Sequence, residues 1–199
     1  MKILFAALLS LALGACSSLL PKPAQPPSFY ALTATVGAPV PAAIASAPTL
    51  VVNPPQAAAG YDSARIIYVR QPHQLQYFSQ SEWVDTPARM LAPLLVTALQ
   101  GSGAFKAVVS SPSASAGELR LDTEIVQLQQ DFDAAGGSTL RFSLRATLVD
   151  NTSRKVRGSR QFDASVAGGA DAYSGVLAAN AAVQQVLLQV AAFTADATR

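Results

Sequence analysis

The clearest pattern in the chain lies in its second half. Leu119, Leu121 and Ile125 alternate with Glu118, Arg120, Asp122 and Glu124, which is the period of a strand with one face buried and one in water. Leu140, Phe142, Leu144, Ala146 and Leu148 repeat the pattern against Arg141, Ser143, Arg145 and Thr147. The turn residues between Asp133 and Ser138 let these two strands pair antiparallel, which sets Arg141 or Arg145 beside the acidic face of the first strand. Asn151-Thr152-Ser153 marks another turn, and a third strand of the same meander is predicted over Val156 to Val166. From Ala172 to Ala195 the period changes: Val176, Ala179, Val183, Leu187, Val190 and Phe193 recur every three or four residues, as on an amphipathic helix lying on the sheet.

The first half is less regular. Phe29 to Leu32, Leu50 to Val52 and Arg65 to Arg70 are strand candidates, and Leu75 to Phe78 follows a Pro-containing turn, predicting a hairpin. Thr86 is placed to N-cap a helix with Pro87 at its first position; Met90, Leu91, Leu94, Leu95 and Leu99 continue it until Gly101 and Gly103, with Pro93 as an internal kink. A short strand is expected near Phe105 to Val109. The order predicts an α/β class: a single-domain sandwich, a mixed β-sheet with a C-terminal antiparallel meander, covered by two main helices.

The N-terminus has its own grammar. Lys2 precedes an apolar run from Ile3 to Leu13, and Gly14-Ala15 leads into Cys16, the pattern of a secretory signal that ends in a lipid-modified cysteine. The run is too short to span a bilayer. Cys16 is the only Cys in 199 residues, so no internal disulfide can form, and acylation of its thiol would give lasting membrane attachment. Ser17 to Pro27 is too proline-rich for helix or sheet and reads as an extended tether. The expected organisation is therefore a signal peptide over 1–15, a lipidated Cys and tether over 16–27, and one domain over 28–199; Gly37 to Pro48 is an exposed loop within it.

Charge and composition narrow the function. Lys and Arg total 14 against 12 Asp and Glu, and Arg154, Lys155 and Arg157 form the only tight basic group, which does not suit a nucleic-acid partner. Chemistry is equally sparse. His73 is the sole imidazole and sits in a polar turn, so no nucleophile has a His base. No metal site is expected: there is no second Cys or His, and Asp131 and Asp133 lack the Gly and Glu of a calcium loop and suit a turn. Gly101 to Lys106 has the wrong spacing for a phosphate-binding loop. Glu82 and Asp85 flank Trp83 as they would at a helix N-terminus. No catalytic residue and no cofactor are expected. The positive feature is aromatic: Tyr61, Tyr68, Tyr77, Phe78 and Trp83 fall within one short segment, suited either to core packing or to a partner interface. Tyr61, Tyr68, Tyr77 and Trp83 are the candidate partner-binding residues, with Cys16 the lipid-attachment residue.

Phe29-Tyr30-x-Leu32 after the tether, Gly60-Tyr61-Asp62-Ser63 leading into Arg65-Ile66-x-Tyr68-x-Arg70, then Tyr77, Trp83, Pro87 and Met90-Leu91, and later Leu119-x-Leu121, Gln130-Asp131-Phe132 and the Ala-rich final helix form an ordered set. In that order and spacing the chain resembles the ABC-type transport auxiliary lipoprotein family, which takes in the lipoprotein of the paraquat-inducible Pqi system. The resemblance implies a non-enzymatic subunit of an envelope lipid-transport system, working beside an MCE-domain protein and an ABC permease and ATPase, and compatible with a homo-oligomer. Ser17 after the Cys resembles the sorting pattern that sends lipoproteins to the periplasmic face of the outer membrane. A structural assembly lipoprotein of an outer-membrane complex is the alternative.

Overall fold

The computed structural model describes residues 26–34, 46–112 and 117–198. The signal peptide, Cys16, most of the tether and most of the Gly37 to Pro48 loop lie outside the described residues. The strands are β1 (Ser28–Tyr30), β2 (Thr49–Val52), β3 (Gln56–Ala57), β4 (Arg65–Val69), β5 (Leu75–Trp83), β6 (Ala107–Ser110), β7 (Leu119–Phe132), β8 (Ser138–Asp150) and β9 (Val156–Gly168). Two helices complete the set, α1 (Pro87–Gly101) between β5 and β6 and α2 (Ala172–Asp196) after β9.

All nine strands belong to one mixed sheet organised on β7. Along one side of β7 lie β2, β3 and β4 in succession, all parallel to it; β6 extends the sheet beyond β2, and β5 then β1 extend it beyond β4. On its other side β7 pairs antiparallel with β8, and β8 with β9. This is the mixed-sheet α/β class with a C-terminal meander that the periodicity predicts.

The inward alternation produces one core. Leu50, Leu121, Ile125, Phe142, Leu144 and Leu148 on the sheet, Leu91, Leu95 and Leu99 on α1, and Val183, Leu187 and Val190 on α2 belong to a single apolar cluster. Both helices therefore cover the same face, and among the described residues no helix covers the opposite face, called the open face below. Helix α1 starts where the sequence places it, with Thr86 at the N-cap position, Pro87 in the first turn and Pro93 inside, but the Thr86 side chain makes no capping hydrogen bond. Helix α2 starts at a reciprocal cap: the Ser174 N–H donates to the Asp171 carboxylate at 2.8 Å, and the Asp171 N–H donates back to the Ser174 hydroxyl.

Buried Gln130 fixes α2 to the sheet. Its amide nitrogen donates to the Gly169 carbonyl at 2.9 Å and to the Ser138 hydroxyl at 2.9 Å. Its amide oxygen lies where a Cβ on Gly175 would come within 2.2 Å, so only glycine lets the first turn of α2 sit this close. The period-two pattern of β7 is broken at Val126, where one extra residue forms a bulge opposite Leu144 and Ser143. Leu119, Leu121 and Ile125 face the helices before the bulge; Leu128 and Gln130 take over after it.

Candidate functional site

The open face of the sheet divides into two regions of different chemistry. Over β7, β8 and β9 it is polar and internally paired. Arg145 contacts Glu124 at 2.6 Å and Arg141 contacts Asp131 at 2.7 Å, whereas the pair of Arg157 and Asp150 at 2.6 Å lies at the end of the meander on the helix side, beside Leu119 and Thr198. The Ser143 hydroxyl donates to Asp163 at 2.5 Å, and the Thr147 and Ser159 hydroxyls meet at 2.8 Å. The expected cross-strand pairing of Arg141 and Arg145 with the acidic strand is what the structure shows.

Over β4 and β5 the same face is apolar. Ile67 stands opposite Tyr77, and Val69 opposite Leu75, so these four side chains share the face away from the helices. Ile67 is buried yet stands apart from the main core cluster, because its cover is the neighbouring open-face side chains and the loop after β3. Tyr77 remains 49% exposed, and the Arg65 guanidinium lies 4.0 Å from the centre of its ring, a cation–π contact on the rim of the patch.

The loop after β3 frames this patch. Gly60 turns the chain with φ +95°, and a Cβ there would reach within 3.2 Å of the Leu75 side chain. Tyr61 then crosses to β7 and donates its hydroxyl to the Gln129 side-chain oxygen at 2.5 Å. Burial, and secondarily the Asp131 charge, hold the Tyr61 hydroxyl above its ordinary pKa, so it stays a neutral donor at physiological pH. A concavity of about 450 Å³ opens between Asp62, Arg65, Ile67, Leu75 and Tyr77. A second, of about 470 Å³, lies on the other side of Leu75, bounded by Val69, Pro72, His73, Asp131 and Phe132.

The four aromatic candidates thus separate. Tyr77 is presented on the open face. Tyr61 is half-buried and frames it. Tyr68 packs on the opposite face in an aromatic group, its ring 4.7 Å from Phe78 and 5.8 Å from Phe132, with Arg70 over Phe132 at 5.0 Å. Trp83 is 3% exposed and belongs to the main core, so it contacts no partner in this fold and is corrected here to a core residue. The reason is a break of register in the hairpin. Ile67 pairs with Tyr77 but Arg65 pairs with Glu82, so β5 carries extra residues between them. That irregularity reverses the alternation and turns Trp83 to the helix side while Tyr77 stays outside.

Glu82, expected at a helix N-terminus, is a strand residue between Phe29 and Arg65. Asp85 does serve the helix start: it accepts the Thr86 N–H at 2.7 Å and pairs with Arg89 at 3.3 Å. Asp133 holds the β7–β8 turn by accepting the Ala135 and Gly137 N–H groups, each at 2.9 Å. Among the described residues no three His, Cys, Asp or Glu side chains converge as a metal site. Ile67, Val69 and Leu75 were not singled out from the sequence; the signal available was the shared alternation of Leu75 with Tyr77.

Comparison with known proteins adds the following. The family model described as "ABC-type transport auxiliary lipoprotein component" matches residues 30–191. No curated protein matches the chain. A Xanthomonas campestris protein assigned to family DUF330 superposes with a TM-score of 0.76 at 25% identity, over 85% of this chain and 95% of that one. An uncharacterised protein gives a TM-score of 0.64 at 16% identity, over 86% and 98%. A hypothetical protein from Chlamydia trachomatis gives 0.50 at 10% identity, over 77% and 98%; at such identities the last two likenesses concern the fold alone.

Proposed function

From the premise that this chain belongs to the ABC-type transport auxiliary lipoprotein family, we propose that it is a non-enzymatic, lipid-anchored subunit of an ABC/MCE-type envelope lipid-transport system. Acylated Cys16 holds it to the periplasmic face of the outer membrane, and it works by binding a protein of that system, the MCE-domain component reaching across from the inner membrane. The observation that carries this reading is the apolar half of the open sheet face. A sheet face in water is ordinarily polar, as it is over β7 to β9; Ile67, Val69, Leu75 and Tyr77 instead present a contiguous apolar patch with an Arg on its rim, the composition of an interface centre. Having one His and one Cys in the whole chain, the molecule has little with which to do chemistry.

The test is copurification of the acylated protein with the MCE-domain component and the ABC permease and ATPase from detergent-solubilised envelopes. Leu75→Ser combined with Tyr77→Ala should reduce recovery of the MCE component at least tenfold, as expected for the loss of interface hot-spot residues, while the protein stays folded. Unchanged recovery with the double variant would remove the patch from the interface, and failure of the wild-type protein to retain any transporter component would remove the transport reading itself.

A further inference from the structure

Of the eight large apolar side chains exposed among the described residues, four gather around β1, the strand that directly follows the tether. β1 is the outermost strand of its end of the sheet. Phe29 stands on it, on the open face next to Glu82. Val84 is held against it by its own N–H, which donates to the Tyr30 carbonyl at 2.8 Å. On the other side, the Tyr30 ring lies 6.3 Å from the ring of Tyr173 in the first turn of α2. The chain then runs along α2 as far as Asn180, which accepts the Thr33 N–H at 2.6 Å and donates to the Ala31 carbonyl at 3.3 Å. Leu177 lies on that flank of the helix, one turn beyond Tyr173. Phe29, Val84, Tyr173 and Leu177, each more than half exposed, therefore form a collar around the point where the tether enters the domain.

Resting on the reading of Cys16 as the acylated anchor, we infer that this collar is the surface with which the domain rests on the bilayer that holds its lipid. The tether decides between occupants. The residues from Ser17 to Pro27 span at most roughly 35 Å when extended, so β1 never leaves the neighbourhood of the membrane. A short tether of this kind holds its two ends at an effective concentration in the millimolar range, and an apolar contact far too weak to be seen with a free domain becomes populated. The side chains suit the site: Tyr173 can place its ring at the level of lipid headgroups with its hydroxyl in water, while Phe29, Val84 and Leu177 supply purely apolar surface to the acyl boundary. The flank of α2 behind them carries no charge, since Asp196 is the only charged residue in the helix. The nearby charges are mixed: Asp85 pairs with Arg89, Glu82 stands opposite Arg65 and Asp171 caps α2, so no basic cluster flanks the collar and the contact is apolar, not an attraction to anionic lipid.

The test uses the acylated full-length mature chain in vesicles of phosphatidylethanolamine containing brominated phosphatidylcholine, with Trp introduced as Phe29→Trp, Tyr173→Trp or, on the polar open face of β9, Gln161→Trp. Trp83 is buried and supplies a constant background. The bromines should quench the emission of the Trp at positions 29 and 173 at least twofold more than that at 161, with no change between low and high salt. Equal quenching at the three positions would overturn the inference. So would absence of quenching with the collar Trp shielded from aqueous acrylamide, which would mean that a second copy or another protein covers the collar. Melting temperatures within a few degrees of wild type show that the variants are folded. An N-terminal fragment without acyl mass would show that the anchor reading had failed first, and the collar with it.

Discussion

The two halves of the open sheet face are built on one continuous set of strands, and they solve the problem of facing water in opposite ways. On the meander every long strand carries partners for its neighbour: Arg145 for Glu124, Arg141 for Asp131, Thr147 for Ser159. On the β4–β5 hairpin the facing pairs are Ile67 with Tyr77 and Val69 with Leu75, and among the described residues Leu75 and Tyr77 stay about half exposed. The polar half pairs its own charges and hydroxyls. The apolar half is left incomplete by the fold, and its completion by a partner is the simplest physical reason for that composition.

This contrast makes a ranked set of expectations. The largest effects should come from the helix side, where the two halves share one core. Leu187→Asp places a carboxylate among fully buried apolar side chains and should cost more than about 4 kcal/mol, and Trp83→Ala about 3–5 kcal/mol, both read by chemical denaturation. If Trp83→Ala left stability intact and weakened partner recovery instead, the division of the hairpin into a core face and a contact face would be wrong. Gly175→Ala should follow at about 1–3 kcal/mol, because the added methyl must displace the Gln130 amide that ties α2 to the meander.

Acid should loosen the ends of the strands and the start of α2, where carboxylates accept backbone N–H groups. The Ser153 backbone N–H, and after it Arg157, lower the Asp150 pKa from its ordinary 3.8 to about 2. Backbone N–H groups of Thr49 and Ser174 lower Glu118 and Asp171 in the same direction. Between these values the unfolded chain binds protons that the folded chain refuses, so this stability is complete above about pH 5 and is lost as the pH falls toward 2. Asp150→Asn should flatten the fall of melting temperature over that interval; an identical slope would remove Asp150 from the account. The smallest effect belongs to the patch: Tyr77→Ala should change stability by less than about 1 kcal/mol, since half of its side chain already meets water.

Most of the architecture is legible in the sequence wherever the hydrophobic period runs unbroken. The β8 alternation from Leu140 to Leu148, the α2 stripe through Val183, Leu187 and Val190, and the Thr86-Pro87 helix start all lie where local chemistry places them. The hydrophobic period stops being a guide where one strand carries extra residues. In β5 the irregularity between the Ile67–Tyr77 and Arg65–Glu82 pairs changes which face each later residue takes, and no local signal between Phe78 and Ser81 announces it. Tyr77 and Trp83 are an even number of residues apart and would share a face in an ideal strand; here one is exposed and the other is core. Glu82 belongs to β5 and not to a helix N-terminus for the same reason, since β5 runs further than its apolar start suggests. The patch itself requires pairing across strands: Ile67 and Leu75 look like ordinary core positions until their register sets them on the uncovered face.

Site-specific photocrosslinking in intact cells measures the difference between those two halves directly. A benzophenone side chain placed at position 77, on the apolar half, should capture the MCE-domain component of the transport system, and the same group at position 161, on the polar half, should capture nothing above background. Equal capture at both positions, or capture at 161 alone, would contradict the claim that the hairpin face is where this lipoprotein holds its partner.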